Sequence, residues 1–170
     1  MTDQDNRYNE KYMKRAIELS EIAYQSGKGL PIGCVIVKEG KIIGEGHNEI
    51  FLRSNPTAHG EMVAIEDACK KYGGMQLQDC EMYTTLEPCP MCFGAIYWAQ
   101  VGVVFYANSK ADANEAGFDD SFIFDEMVKP VDERIIKTHH TVCAGAKKVL
   151  TEWKSKELAH GQPWTPYKVK

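Results

Sequence analysis

The sequence predicts an α/β fold in which helices pack on both faces of a central sheet. Short apolar runs typical of buried strands alternate along the chain with longer segments whose apolar residues recur at helical spacing. Such alternation is typical of a three-layer α/β/α arrangement. The 170 residues suit one domain, which at that length buries roughly 70% of the surface of the unfolded chain. We expect a single domain, 1–170, with a core over about 8–143.

The chain is predicted to begin with a helix and a β-hairpin. A helix over about 8–26 places six residues on one stripe: Met13, Ala16, Ile17, Ser20, Ala23 and Tyr24. The apolar run 33–37 and the shorter run 41–44 predict two strands. Glu39-Gly40 lies between them and suits a tight hairpin turn.

A second helix, a strand, a third helix and a further strand are predicted next. The second helix begins near Thr57 and ends at Gly73-Gly74. Four apolar residues share one face of it: Met62, Ile65, Cys69 and Tyr72. Residues 81–86 and 101–107 predict strands. A helix over 88–99 separates them, with Pro88 in its first turn, where the missing N–H costs nothing.

The last third of the chain predicts less regular structure. Residues 110–132 are mixed and partly helical, 138–142 predict a last strand, and 147–158 predict a last helix. The tail, 161–170, contains two prolines and is predicted to be irregular. The expected sheet therefore has about five strands.

Composition indicates a cytoplasmic protein that binds neither a membrane nor, as its main partner, nucleic acid. The net charge is −4, whereas nucleic-acid-binding domains are more often basic. Residues 1–10 are polar and predict no secretory signal, and the longest apolar stretch, 94–107, is too short to span a bilayer. In a cytoplasmic chain, a close cysteine pair is more often metal-binding or catalytic than disulfide-bonded.

Two short motifs fit one metal site. His59-Gly60-Glu61 forms H-x-E, and Pro88-Cys89 with Cys92 forms P-C-x-x-C. This pair of motifs is the signature of zinc-dependent nucleobase deaminases. One imidazole and two thiolates leave a fourth zinc position open, as in catalytic rather than structural zinc sites.

The spacing of these residues also predicts their roles. Cys89 and Cys92 lie at a predicted helix N-terminus, where the helix dipole and free N–H groups favour thiolates. His59 and Glu61 are about 200° apart around a helix, so only in the first turn could both reach one site. We therefore expect His59, Cys89 and Cys92 to bind zinc and Glu61 to move protons beside it.

Other interpretations of these residues are structural. A lone C-x-x-C is commonly a redox pair or half of a four-cysteine zinc site, but the chain has no second one, and a redox pair leaves H-x-E unexplained. The remaining cysteines are expected to be structural: Cys34, Cys69, Cys80 and Cys143. Phe93, Tyr97 and Trp98 suggest a helix packed in the core, although one of them could line the site.

With these motifs, the chain resembles the cytidine-deaminase-like superfamily, and within it most closely the bacterial guanine deaminases. The resemblance covers roughly 31–133. It rests on four stretches: Asn55-Pro56-Thr57-Ala58-His59, Glu87-Pro88-Cys89-Pro90-Met91-Cys92, Gly94-Ala95-Ile96-Tyr97-Trp98-Ala99 and Glu115-Ala116-Gly117-Phe118-Asp119-Asp120-Ser121-Phe122. The last stretch looks most specific to the guanine deaminase branch. The resemblance implies a mixed central sheet and hydrolytic, zinc-dependent deamination of a free base, guanine to xanthine and ammonia.

The resemblance also implies substrate contacts and a dimer. Asn48 resembles an asparagine that hydrogen-bonds the base, and Trp98 resembles an aromatic residue beside it. Asp120 resembles an acidic residue that recognises guanine, although the sequence leaves open whether Asp119 or Asp120 enters the pocket or both merely cap a helix. The family's homodimers exchange C-terminal segments, which here would be 144–170.

Several departures leave the choice of base open. Gly60 stands where alanine is commoner, and Ile32 stands where guanine deaminases tend to carry an aromatic residue. The tail matches neither branch but contains Trp164 and Tyr167, which could form an aromatic lid. Cytosine deaminase, or a related nucleoside or triazine deaminase, is the alternative function. A tRNA adenosine deaminase is disfavoured by the acidic charge.

Overall fold

The computed structural model of the chain describes residues 5–156. The strands are β1 (Gly33–Lys38), β2 (Lys41–His47), β3 (Glu81–Leu86) and β4 (Val103–Asn108). The helices are α1 (Glu10–Gln25), α2 (Gly60–Tyr72), α3 (Pro90–Ala99), α4 (Lys110–Glu115), α5 (Ser121–Val128) and α6 (Ala144–Lys156), with a 3-10 turn at Val131–Glu133. None of the helices in the described residues is long and apolar enough to cross a membrane. The chain divides between Phe124 and Asp125 into two compact units.

The sheet of the first unit is mixed, as predicted. Its strand order is β2-β1-β3-β4. β1 pairs antiparallel with β2 and with β3, whereas β3 and β4 are parallel. Glu39 and Gly40 both have positive φ, 50° and 75°, which is the two-residue turn that connects twisted antiparallel strands.

The predicted fifth strand is absent from the described residues, so the expected strand count was wrong. Residues 138–142 have no regular secondary structure and are exposed, and none of the described strands pairs with them. The segment reads Thr-His-His-Thr-Val, with one apolar residue in five. It therefore has no apolar face whose burial would hold it against the sheet.

Helices cover both faces of the sheet, which confirms the three-layer prediction. Alternate residues of β1 point to opposite faces. On one face, strands β1 and β3 pack against α2 and α3 through a buried cluster: Cys34, Ile36, Ala64, Ala68, Leu77, Cys80, Met82, Ile96 and Ala99. On the other face, the same strands pack against α1: Tyr12, Met13, Ala16, Leu19, Val35, Val37 and Tyr83.

Two glycines let α2 approach β2 closely. A Cβ at Gly44 would lie 2.6 Å from the Ala64 carbonyl oxygen, and one at Gly46 would lie 2.4 Å from the Gly60 carbonyl oxygen. The strand predicted over 41–44 therefore continues through these glycines to His47. The glycines serve a close approach between backbones rather than the end of the strand.

The predicted apolar face of α2 was partly right, since Ile65 and Cys69 pack against the buried cluster, and the close approach explains where the face differs. Small residues, Ala64 and Ala68, face the sheet and are fully buried, whereas Tyr72 is 49% exposed. On α1, four residues of the predicted stripe are buried, but Ile17 and Tyr24 are exposed. The stripe that meets the sheet includes Tyr12 and Leu19 instead.

The second unit is described from Asp125 to Lys156 and has almost no buried surface of its own. Its described side chains are exposed apart from Glu126 and Arg134, which are partly buried. The predicted last helix is present as α6, which begins three residues earlier than expected. Large apolar side chains are exposed throughout this unit: Val128, Val131, Ile135, Ile136, Val142, Val149, Leu150 and Trp153. The predicted irregular tail, 161–170, lies outside the described residues.

Candidate active site

Two helix N-termini in the first unit present the residues of the H-x-E and P-C-x-x-C motifs. His59 is the N-cap of α2 and Cys89 the N-cap of α3, both with extended backbone. Neither side chain makes the usual capping hydrogen bond, so both are free to face elsewhere. Both helices begin two or three residues later than predicted, at Gly60 and at Pro90, so Pro90 rather than Pro88 occupies the first turn of α3.

The three predicted ligands lie in one triangle. Their ligand atoms are all within 4.8 Å of one another. The Nδ1 atom of His59 is 3.6 Å from Sγ of Cys89 and 3.5 Å from Sγ of Cys92. Tetrahedral zinc with Zn–N of about 2.0–2.1 Å and Zn–S of about 2.3 Å separates such atoms by about 3.6 Å. The donor set and its spacing therefore fit zinc.

The electrostatics of the triangle favour negative charge on Cys89. A hydrogen bond from Cys92, followed in size by that from His59, lowers the pKa of Cys89 to about 4. The same interactions raise the pKa of Cys92, because one proton is shared between the thiols, and raise the pKa of His59. Binding of a metal by both thiolates would therefore release a proton from Cys92.

Glu61 lies beside the triangle in the first turn of α2. It is only 3% exposed. Its Oε1 atom accepts a hydrogen bond of 3.4 Å from the Thr84 hydroxyl, and its Oε2 atom is 3.5 Å from Sγ of Cys92. Burial raises the pKa of this carboxyl, so Glu61 holds a proton more readily than an exposed glutamate.

Asn48 is fully buried at the end of β2 and has one unused donor. Its Oδ1 atom accepts from the backbone N–H groups of Leu30 and Ile50, at 3.1 and 3.3 Å. Its Nδ2 atom is the one buried side-chain nitrogen or oxygen of residues 5–156 that has no hydrogen-bond partner. A buried unpaired donor is costly, which indicates a place for a ligand acceptor.

The two adjacent aspartates differ in their surroundings. Asp119 is exposed, and its Oδ1 atom accepts from the backbone N–H of Ser121 at 2.9 Å, so it caps α5. Asp120 is partly buried, and burial followed by the nearby charge of Cys89 raises its pKa. Of the two, Asp120 is therefore the one within electrostatic reach of the ligand triangle.

Residues 6–108 match the family model of the cytidine and deoxycytidylate deaminase zinc-binding region. The chain belongs to this deaminase family. The family confirms the predicted resemblance and the zinc cofactor.

Similar proteins narrow the placement within the deaminases. The chain is 48% identical over 147 residues to guanine deaminase of Bacillus subtilis, an alignment that covers 86% of this chain and 94% of that protein. A crystal structure of the Bacillus subtilis enzyme matches with a TM-score of 0.87 and 45% identity, covering 93% of this chain and 99% of that one. The tRNA-specific adenosine deaminase of Aquifex aeolicus is 33% identical over 85% of this chain and 92% of that protein.

Trp98 lies on the same helix as Cys92 in this deaminase chain. It is 65% exposed and lies six residues after Cys92 on α3, about 9 Å along the helix axis. Phe93 and Tyr97 are also about half exposed, so the predicted core cluster on this helix was wrong. The role of Trp98 beside a base stays a prediction.

Two further residues, Thr84 and Gly29, contribute to the deaminase site and were not predicted. Thr84 holds Glu61, and its signal was a polar residue at an inward position of the apolar strand β3. Gly29 allows Asn48 to pack, since a Cβ there would lie 2.1 Å from the Asn48 carbonyl oxygen.

A cavity of about 190 Å³ lies at the ends of β3 and β4, and nine residues line it: Pro31, Ile32, Thr85, Leu86, Asn108, Asp112, Ala113, Ala116 and Phe118.

Proposed function

We propose that this protein is a zinc-dependent guanine deaminase, which hydrolyses guanine to xanthine and ammonia. The observation that carries the proposal is the triangle of His59, Cys89 and Cys92 with Glu61 beside it, in a chain that is 48% identical to a guanine deaminase over 94% of that protein. Zinc in such a site would act as a Lewis acid and lower the pKa of a water molecule from about 15.7 to about 7.

Glu61 is proposed to carry protons between the attacking water and the leaving amino group. Its burial and raised pKa support a carboxyl that both accepts and returns a proton. The hydroxyl of Thr84 fixes one of its oxygens and leaves the carboxylate at the edge of the triangle. A structural zinc site would have no use for a buried carboxyl in this place.

Asn48 and Asp120 are proposed to orient the base. Guanine offers acceptors at O6 and N7 and donors at N1–H and its 2-amino group. The unpaired Nδ2 of Asn48 suits an acceptor of the base, and the carboxylate of Asp120 suits its donors. Asp119 is left to cap α5, because its carboxylate is already used by Ser121. Selectivity would follow from a pocket that leaves these groups unpaired with any other base.

A panel of substrates tests the proposal. Purified zinc-loaded protein is incubated with guanine, cytosine, guanosine and adenosine, and ammonia is measured. Release from guanine alone, at a rate well above that of a Glu61→Gln control, is expected. Release from cytosine alone would replace the proposal with the cytosine deaminase alternative.

A tRNA adenosine deaminase is the second candidate, since the Aquifex aeolicus relative carries that activity in its name. The acidic net charge of −4 opposes it, because phosphate backbones are bound through lysine and arginine. Deamination of a tRNA anticodon stem-loop, with a steep dependence on salt, would favour this candidate over guanine.

The working form is proposed to be a homodimer that exchanges C-terminal segments. Two surfaces support a second copy: the half-exposed aromatic face of α3, and a C-terminal unit whose apolar side chains are exposed. Trp98 would then have a route to a base through the partner, and Trp164 and Tyr167, outside the described residues, would close the partner's site. Sedimentation of the full chain, compared with a chain ending at residue 143, tests this proposal.

The cytoplasm remains the proposed location. All six cysteines are free thiols, which suits a reducing compartment.

A further inference from the structure

Three segments of the first unit meet at Lys110, the first residue of α4. The first segment contains Glu87, two residues before the candidate zinc ligand Cys89. The second is the start of α4, and the third contains Phe124, four residues after Asp120. Lys110 contacts both of the other segments.

The contact with Glu87 fixes the beginning of α4 to the segment that precedes Cys89. Oε2 of Glu87 accepts from the backbone N–H of Lys110 at 3.0 Å, and Oε1 lies 3.9 Å from its ammonium. The backbone N–H of Glu87 donates to the Asn108 carbonyl at 2.8 Å. Because two of these contacts use backbone groups, this joint is independent of the Lys110 side chain.

The contact with Phe124 depends entirely on the side chain. The Lys110 ammonium lies 4.4 Å from the centroid of the Phe124 ring, within the range of a cation–π interaction. Phe124 lies on α5, which begins directly after Asp120, and the N–H of Ile123 donates to the Asp120 carbonyl at 3.0 Å. Holding Phe124 therefore holds the first turn of α5 and the residue that precedes it.

We propose that Lys110 is a positioning residue that clamps the segment bearing Asp120 against the segment bearing Cys89. The proposal rests on the proposed function in that Asp120 is taken to contact the base. Burial, the largest cause, raises the pKa of the Asp120 carboxyl, and the charge of Lys110 is the smallest of the causes that oppose the rise. The cation would thus act mainly by fixing the place of the base-recognising carboxylate.

Hydrogen exchange on the zinc-loaded full chain tests the clamp without reference to activity. Lys110→Met keeps the length of the side chain and removes its charge. The amides of 117–124 are expected to exchange about two- to five-fold faster, as loss of a surface cation–π contact implies. Lys38→Met is the matched control, because Lys38 lies 4.4 Å from the Tyr72 ring on α2 and is not part of the site. It is expected to leave exchange in 117–124 unchanged.

Kinetics with guanine test the positioning role. Lys110→Met is expected to raise KM about two- to five-fold while kcat and bound zinc stay within about 1.5-fold. Lys110→Arg, which keeps a cation that stacks on aromatic rings, is expected to restore KM. Phe124→Leu is expected to raise KM as Lys110→Met does, and the double variant no further.

The outcomes separate the clamp from the proposed function. Unchanged exchange in 117–124 overturns the clamp whatever the activity. Faster exchange with an unchanged KM, or loss of zinc from Lys110→Met, overturns the positioning role. If the unsubstituted protein releases no ammonia from guanine, the proposed function fails, and the exchange comparison still decides the clamp.

Discussion

The two faces of the sheet are built from the same strands but differ in how completely their buried polar groups are hydrogen-bonded. On the α1 face, the buried Tyr83 hydroxyl donates to Glu81 at 2.8 Å and accepts from the N–H of Asn9 at 3.1 Å, and the Tyr12 hydroxyl donates to the Gly40 carbonyl. On the α2–α3 face, the buried Glu61 accepts only long hydrogen bonds from side chains, 3.4 Å from the Thr84 hydroxyl and 3.5 Å from the Cys92 thiol. Asn48, which follows β2, keeps an unpaired donor.

The difference separates groups that hold the fold from groups that await a ligand. Buried polar groups are normally paired, because an unpaired one costs about 1–3 kcal/mol. The α1 face obeys this rule and can be understood as structure alone. The site departs from it at Asn48, whose Nδ2 atom is buried without a partner.

Glu61→Gln, on the face that carries the candidate active site, is expected to have the largest effect on activity. The substitution keeps the shape and the hydrogen bond with Thr84 but removes the proton carrier, so kcat is expected to fall at least about 10³-fold. Ammonia release measures kcat, and elemental analysis checks that zinc is retained. Glu81→Gln, at the other end of β3, serves as the control and is expected to keep full activity. Comparable turnover in both variants would remove Glu61 from the mechanism.

Removal of zinc is expected to expose one thiol and leave another inert. In chelated protein at pH 6, Cys89 is expected to be alkylated at least about 100-fold faster than Cys34. The lowered pKa of Cys89, about 4, leaves it as thiolate above that pH, whereas burial raises the pKa of Cys34. Mass spectrometry after iodoacetamide treatment gives the rates. Equal protection of Cys89 with and without chelator would show that the metal is held elsewhere.

Asn48→Asp tests whether the unpaired Nδ2 atom of Asn48 donates a hydrogen bond to the substrate. Aspartate can still accept the two backbone hydrogen bonds but cannot donate to a base, so kcat/KM for guanine is expected to fall about 10–100-fold. The measurement is steady-state ammonia release, with circular dichroism to confirm the fold. A variant with normal kcat/KM would mean that the Nδ2 atom meets no substrate.

Tyr83→Phe is expected to have the smallest effect on activity and a clear effect on stability. Its hydroxyl ties residues 7–9 to β3, so the free energy of unfolding is expected to fall by about 1–2 kcal/mol. Urea denaturation measures this loss, and kcat/KM is expected to stay within about twofold. If the variant lost activity while keeping native stability, the α1 face would not be purely structural.

The parts of the fold that follow from local pattern were predictable. The hairpin turn at Glu39-Gly40 follows from a two-residue connection, and the alternation along β1 follows from burial on both faces. The apolar face of α2 was only partly predictable from hydrophobicity, which found Ile65 and Cys69 but not the fully buried Ala64 and Ala68. The approach permitted by Gly44 and Gly46 selects small side chains over large ones, and this depends on a contact between distant segments.

The candidate site was predictable in its ligand set and not in its surroundings. His59, Cys89 and Cys92 were found because their spacing is characteristic, and the structure brings them together. Thr84 was missed, because a polar residue at an inward position of β3 does not by itself show which side chain it holds. The split between Asp119 and Asp120 depends on the hydrogen bond between Asp119 and Ser121. Phe93 and Trp98 were assigned to the core because apolar character alone does not distinguish a buried face from an exposed one.

The ligand triangle joins helices that are far apart in sequence, since His59 and Cys89 are 30 residues apart. An ion bound there would link the N-termini of α2 and α3, which β3 separates in the sequence, and would stabilise the fold in addition to any chemistry it supports. At a free metal concentration 100 times its dissociation constant, such a ligand adds about 2.7 kcal/mol to the folded state. The abundance of this protein in a cell would then follow zinc supply, with starved cells losing the chain to proteolysis.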